Sequence, residues 1–136
     1  MTSENRTADS SLSPNAHEIA PDGSEVRLLS AVPRGSMAHF TIPVGQTIRA
    51  VRHKTVDEIW FVLSGSGQMW RSGAFGDGIV EFSAGMSLVI PVGTAFQVKN
   101  SGADDIEVLG QTMPAWPGND EAEIVSGPWS PTLVRV

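Results

Sequence analysis

Apolar and polar positions alternate with a period near two along most of the chain, and turn residues punctuate the alternation. Segments 36–42, 47–51, 68–71, 79–82, 87–90, 95–99 and 106–112 carry this pattern, and 58–63 is a compact apolar run. Successive side chains of a strand point to opposite faces, so each segment reads as a β-strand. On 58–63, Glu58, Trp60 and Val62 share one face, and Ile59, Phe61 and Leu63 share the other. Pro43-Val44-Gly45, Ser64-Gly65-Ser66-Gly67, Pro91-Val92-Gly93 and Asn100-Ser101-Gly102 separate the strands, and the Gly-rich stretch 72–78 reads as a hairpin loop. Few stretches keep a helical period, so an all-β domain is expected.

The two ends differ from this middle. Residues 1–13 are rich in Ser, Thr, Asn and Asp with hardly a large apolar side chain, which predicts a flexible tail. After Glu18-Ile19-Ala20, the turn residues Pro21-Asp22-Gly23 precede an alternation at Val26 and Leu28, suggesting an initial strand or hairpin. The barrel is then expected over 14–113. From 114 to 136 the run Pro114-Ala115-Trp116-Pro117-Gly118 disfavours regular structure, and the segment should wrap the barrel with Trp116 and Trp129 as apolar anchors. No internal repeat is evident.

The 136 residues suit one domain with a modest core. A net charge of −6 argues against a nucleic-acid phosphate surface, and the short basic run Arg49, Arg52, His53, Lys54 reads as a solvated strand end. With no cysteine, thiolate catalysis, disulfides and zinc-finger sites are excluded. The N-terminus lacks a signal-peptide pattern and no apolar run approaches a bilayer span, so a cytoplasmic protein without a membrane partner is expected. Gly65-Ser66-Gly67 lacks the Lys-Ser/Thr pair and following helix of a phosphate loop.

Two spaced motifs narrow the fold. Gly85, Pro91 and Gly93 stand as G-x5-P-x-G, with Phe96 three residues on and then Asn100. Upstream, Gly45 leads into Val51, Arg52 and His53, with four residues between His53 and Glu58 and six between Glu58 and Gly65. Together they resemble the two conserved motifs of the cupin family. The resemblance covers about residues 45–100 and implies a double-stranded β-helix, or jelly-roll barrel, whose inward side chains form a ligand cavity. It further implies Gly65, Gly85 and Gly93 in tight turns at positive φ and Asn100 closing a turn.

Many cupins hold a divalent metal with three histidines and a glutamate, a set that leaves positions open for substrate. Carried onto this chain, His53 and Glu58 match two ligand positions. Val51 and Phe96 stand at the other two, and neither side chain has a lone pair to donate. Two protein ligands make a weak transition-metal site, so a metal-free barrel is the expected state, with a metal held by His53 and Glu58 as the alternative.

A metal-free pair could be hydrogen-bonded, with Glu58 orienting the imidazole or raising its pKa, and could then act as general acid or base. It could equally be exposed and non-interacting. Of the other histidines, His17 falls in or near the tail, and His39 lies on a strand whose facing the sequence leaves open, as a satisfied strand residue or a third ligand. Trp60 and Phe96 should face the lumen, either lining a pocket or plugging it. Met69 and Arg71 share a parity and become pocket residues if that face lines the cavity, where Arg71 could meet an anionic ligand; a surface Arg71 is the alternative. Gln97 should point outward.

Two functions follow as expectations. One is a small-molecule-binding barrel whose metal centre is eroded. The other is an isomerase, lyase or dioxygenase acting on a small organic acid or carbonyl compound through His53 and Glu58. An assembly role is a third reading, since Ile59, Phe61 and Leu63 on the outer face would suit a homodimer packed sheet on sheet, though a face covered within the monomer explains them equally.

Overall fold

The computed structural model describes residues 6–74 and 76–133. Eleven strands form: β1 (Glu18–Ile19), β2 (Glu25–Val32), β3 (Gly35–Ile42), β4 (Val51–His53), β5 (Asp57–Ser64), β6 (Ser66–Gly73), β7 (Gly76–Ser83), β8 (Ser87–Ile90), β9 (Ala95–Lys99), β10 (Ile106–Met113) and β11 (Ala122–Ile124). A single 3-10 turn (Asn119–Glu121) is the one helical element among the described residues. One sheet has the order β1-β2-β3-β10-β5-β8 and the other β11-β4-β9-β6-β7. All the strand pairings are antiparallel, which makes a jelly roll of two facing sheets.

The alternation on β5 appears as expected. Glu58, Trp60 and Val62 are buried, whereas Ile59, Phe61 and Leu63 stay 43–46% exposed on the outer face. The inner faces of both sheets meet in a core that includes Ile42, Ile48, Trp60, Val62, Met69, Ile90, Phe96, Val98 and Ile106. Gly65 turns β5 into β6 at φ +84°, and a Cβ there would lie 2.5 Å from the Asp105 carbonyl oxygen, so both conformation and close approach demand glycine. Asn100 does the turn work expected of it. Its Nδ2 donates to the carbonyls of Ile42 and Asp104 at 3.0 and 2.9 Å, and its Oδ1 accepts from Gly102 N.

Several boundaries differ from expectation. The strand expected at 47–51 lies instead at Val51–His53, with Thr47 making only an isolated bridge to Lys99. Backbone groups between 47 and 50 are shared among different partners: Ile48 N donates to Val98 O, Arg49 N to Asp22 O, and Ala50 O accepts from Val125 N. No single neighbour offers a continuous ladder there. In the stretch read as a long hairpin loop, the ladder instead runs on to the pair Gly73 and Gly76, helped by a 2.6 Å bond from Ser72 Oγ to Asp77 Oδ1. Phe75 lies outside the described residues.

Both ends pack against the barrel. Of the segment expected to be a flexible tail, residues 6–13 lie beside β2: Ala31 N donates to Arg6 O, Ser30 Oγ to Ala8 O, and Arg27 Nε to Ser13 O. A sequence poor in apolar residues is tied down here by backbone carbonyls, which composition does not reveal. At the other end, β11 adds to β4, Thr132 N donates to Thr47 O, and Leu133 enters the core. Trp129 packs under Lys99, whose ammonium sits 5.9 Å from the ring centroid.

Candidate functional site

A cavity of about 40 Å³ lies between the sheets near the barrel mouth. Val51 and His53 reach it from β4, Glu58 and Trp60 from β5, Phe96 from β9 and Trp116 from the C-terminal segment. The geometry follows from parity: Val51 and His53 are two apart on β4, as Glu58 and Trp60 are on β5. Gly110 on β10 faces the same space. A Cβ at that position would meet Phe40 Cε2 at 2.6 Å and Glu58 Oε2 at 2.7 Å, so the glycine makes room for the carboxyl.

His53 and Glu58 come together as the motif implies, and both are 4% exposed. His53 Nδ1 stands 3.6 Å from Glu58 Oε1, too far for a hydrogen bond, and has no hydrogen-bond partner among the described residues. The imidazole is held edge-on by Trp116 and Phe96, with ring centroids at 5.1 and 5.4 Å. Trp60 stands edge-on to Phe96 at 5.9 Å. The rings therefore form one aromatic wall around the histidine.

The charge state differs from the expected upward shift on His53. Burial pushes His53 down to about 4, with the charge of Glu121 opposing, and burial pushes Glu58 up to about 8, with the neighbouring Trp60 indole opposing and Asp22 adding to the rise. Near neutral pH the imidazole is unprotonated and the carboxyl keeps its proton. Desolvation outweighs mutual attraction because the two groups do not touch. The negative charge that acts on His53 comes from Glu121, on the 3-10 turn. Its carboxylate accepts from Thr55 N and Thr55 Oγ1 at 2.5 Å and from Val56 N at 2.9 Å, pinning the loop between β4 and β5. Burial alone would push Glu121 up, and these bonds hold it below its ordinary value.

Of the other residues singled out from the sequence, Trp60 and Phe96 line the cavity. Met69 does not: it is fully buried in the core, where it is flanked by Val80 and Val98. Arg71 does not either. It has the inward parity, but its Nη1 donates to Val89 O at 2.9 Å, and the side chain lines an open groove beside β7 and β8. Gln97, expected outside, is 1% exposed, because the C-terminal segment covers that face; its Nε2 donates to Ile48 O and Trp129 O. His39 faces away from the cavity, since its neighbours Ala38 and Phe40 face in, and its Nε2 lies 3.1 Å from Glu107 Oε1. His17 Nδ1 accepts from Leu28 N.

Sequence reasoning missed Arg6, Asp22, Ser36, Thr112 and the site role of Trp116, all of which line the cavity. Asp22 Oδ1 accepts from Ser24 N and Oγ at 2.9 and 2.6 Å, and Ser36 and Thr112 share a hydroxyl pair at 2.6 Å. The turn signal at 21–23 marked Asp22 as a turn residue, and no local pattern marked the others.

The donor set does not fit a metal centre of three histidines and a carboxylate. Val51 and Phe96 are paired across β4 and β9 and are 1% exposed, so they place hydrocarbon where imidazoles would stand. No group of three or more His, Cys, Asp or Glu side chains able to hold a metal ion occurs among the described residues.

A double-stranded β-helix with its motif residues lining a cavity between the sheets defines a cupin-type barrel. Residues 38–110, just over half the chain, match the cupin domain family, and the chain belongs to that family. Solved structures agree on the fold. A protein from Bacillus halodurans is 21% identical at a TM-score of 0.63, over 69% of this chain and 73% of that one. The Streptomyces protein PAC13, solved with uridine, is 14% identical at 0.66, over 88% and 92%. A predicted oxalate decarboxylase from Thermotoga maritima is 19% identical at 0.64, over 79% and 97%. No curated protein matches the chain. No helix among the described residues is long and apolar enough to cross a membrane.

Proposed function

We propose that this chain is a small-molecule-binding cupin whose metal centre is eroded, acting in the cytoplasm as a homodimer. The observation that carries the reading is the pairing of an enclosed aromatic cavity with buried polar atoms that lack partners, above all His53 Nδ1. Pockets that bind small molecules combine mostly apolar walls with a few placed polar groups. A buried acceptor without a partner costs on the order of 1–3 kcal/mol, which a ligand donor would recover. At about 40 Å³ the space suits a ligand of a few heavy atoms. The exposed apolar row Ile59, Phe61 and Leu63, continued by Val89 on β8, supports the homodimer.

Ligand-observed NMR against small acids, amides and alcohols tests the reading, with Ala38→Leu as the variant that fills the cavity. Binding by at least one class, lost in Ala38→Leu, is expected. Binders that ignore the variant, or the lack of any binder, would refute it. Elemental analysis of protein purified without chelators, repeated on Glu58→Gln, tests the metal. Stoichiometric metal that the variant loses would overturn the eroded-centre part.

A second reading, an enzyme acting on a small organic acid or carbonyl compound, is favoured by one specific observation. A protonated carboxyl and a neutral imidazole nitrogen lie 3.6 Å apart in a buried site. Glu58 would donate its proton to a carbonyl oxygen while His53 Nδ1 accepts one from carbon, the division of labour of an isomerase or lyase. Unchanged turnover in His53→Ala, once a substrate is in hand, would dispose of it.

A further inference from the structure

Arg6 is out of place for a tail residue. It comes from the polar N-terminal segment, yet it is 8% exposed and lines the same cavity as His53 and Glu58. Its position is built rather than incidental. Between Leu28 and Ala31 the β2–β3 ladder shifts register, so Leu29 and Ser30 stand opposite Met37 alone. A bulge of this kind leaves carbonyls outside the ladder. Arg6 takes two of them: Nε donates to Leu29 O at 2.6 Å and Nη2 to Met37 O. The segment's backbone is tied as well, through Ala31 N to Arg6 O at 2.8 Å.

These bonds use only part of the guanidinium. Nη1 is buried and has no hydrogen-bond acceptor among the described residues. Burial lowers the pKa of Arg6 and the charge of Glu18 on β1 offsets this, and a guanidinium remains a cation throughout the working range. Arg6 therefore sets a cationic guanidinium in the cavity wall, beside the carboxyls of Asp22 and Glu58, which burial pushes up toward their neutral forms. The hydroxyls of Ser36 and Thr112 line the same space, and the rings of Trp60, Phe96 and Trp116 offer apolar surface. That arrangement fits a ligand with one anionic end and a short carbon end. A planar carboxylate matches guanidinium geometry and the small volume better than a tetrahedral phosphate does.

Building on the small-molecule reading above, we infer that Arg6 is the anion-recognising residue of the cavity and that it selects a small monocarboxylate. The N-terminal segment then carries a specificity determinant, and the barrel alone does not complete the site.

Titration calorimetry and ¹⁵N-resolved NMR on the full chain test this with acetate, the near-isosteric neutral acetamide, and inorganic phosphate. Acetate should bind saturably and shift the amides of Val51, His53 and Phe96, with acetamide weaker by roughly tenfold to a hundredfold, the range for a lost bond to a charged group. Arg6→Gln should bring acetate down to the acetamide level, and Arg6→Lys should retain part of the preference. Equal binding of acetate and acetamide would overturn the inference, as would tighter binding of phosphate or an unaltered acetate affinity in Arg6→Gln. The wild-type comparison decides the matter even if Arg6→Gln fails to fold. Acetamide bound in the cavity without a carboxylate preference would sink the role of Arg6 and leave the binding reading intact. Failure of every probe would sink both.

Discussion

Replacing Glu58 by glutamine keeps the shape of the side chain and removes its titration, which makes stability against pH a direct probe of the buried pair. In the folded protein Glu58 titrates near 8 rather than at its ordinary 4.5. Between those values the folded state holds a proton that the unfolded chain has lost. Its contribution is complete below 4.5 and is lost as pH rises toward 8, a total of about 5 kcal/mol if the whole displacement is expressed. His53 acts in the opposite sense, because its folded value near 4 lies below the ordinary 6.5; its contribution is complete above 6.5 and is lost as pH falls toward 4. The two trends nearly cancel between pH 4.5 and 6.5. From 6.5 to 8 His53 no longer offsets Glu58, whose own slope is a tenfold fall in the folding constant per pH unit, or about 2 kcal/mol across the window; Asp22, also pushed up by burial, acts in the same sense in wild type and in Glu58→Gln. Urea unfolding followed by tryptophan fluorescence from pH 5 to 8.5 would measure it. Above pH 6.5 wild type should weaken more steeply than Glu58→Gln, the difference between the two slopes being the Glu58 contribution. Equal slopes in the two proteins would show that Glu58 is ionised in the folded state, and the protonated-acid assignment would fall.

Other consequences can be checked separately. The double variant Val51→His/Phe96→His supplies the two missing donors beside His53 and Glu58; without metal it should lose about 3 kcal/mol or more, and nickel or zinc should raise its Tm, whereas wild type should not respond. Glu121→Ala removes the acceptor of three hydrogen bonds and leaves Thr55 N and Val56 N without one, so chemical denaturation should register a loss of roughly 2–4 kcal/mol. Gly110→Ala forces both Phe40 and Glu58 aside, and thermal melts should show a cost of about 1–3 kcal/mol together with weaker ligand binding. Ile59→Ser/Phe61→Ser should convert a dimer to a monomer in sedimentation velocity; a wild type that is monomeric at micromolar concentration would refute the outer-face assignment.

Much of the barrel was legible because a strand's period is two and its turns have a chemical signature. The alternation on β5 placed Glu58 and Trp60 inside and Phe61 outside without any coordinates, and the spacing of Gly85, Pro91 and Gly93 marked a turn whose backbone geometry constrains the residue type. The pair His53 and Glu58 was legible through the resemblance to the cupin first motif, whose spacing lies within one stretch of chain. Parity fixed a side chain's phase but not what lies over it. Arg71 has the inward phase of Met69 but reaches Val89 O beside an open groove, and Gln97 has the outward phase but is roofed by a segment some thirty residues on.

The chain by itself determined the fold class and the facing of its central strands, since each depends on local spacing, and its resemblance to the cupin motifs implied the loss of two donors at Val51 and Phe96. Only the tertiary structure decided the electrostatics and the membership of the site. Whether His53 and Glu58 touch depends on a separation of 3.6 Å across two strands, and their neutrality depends on how completely the rings exclude water. Arg6 and Trp116 join the cavity from opposite ends of the sequence. What brings Arg6 there is a pair of carbonyls freed by a bulge between β2 and β3, a feature of strand pairing that no reading of one segment at a time contains.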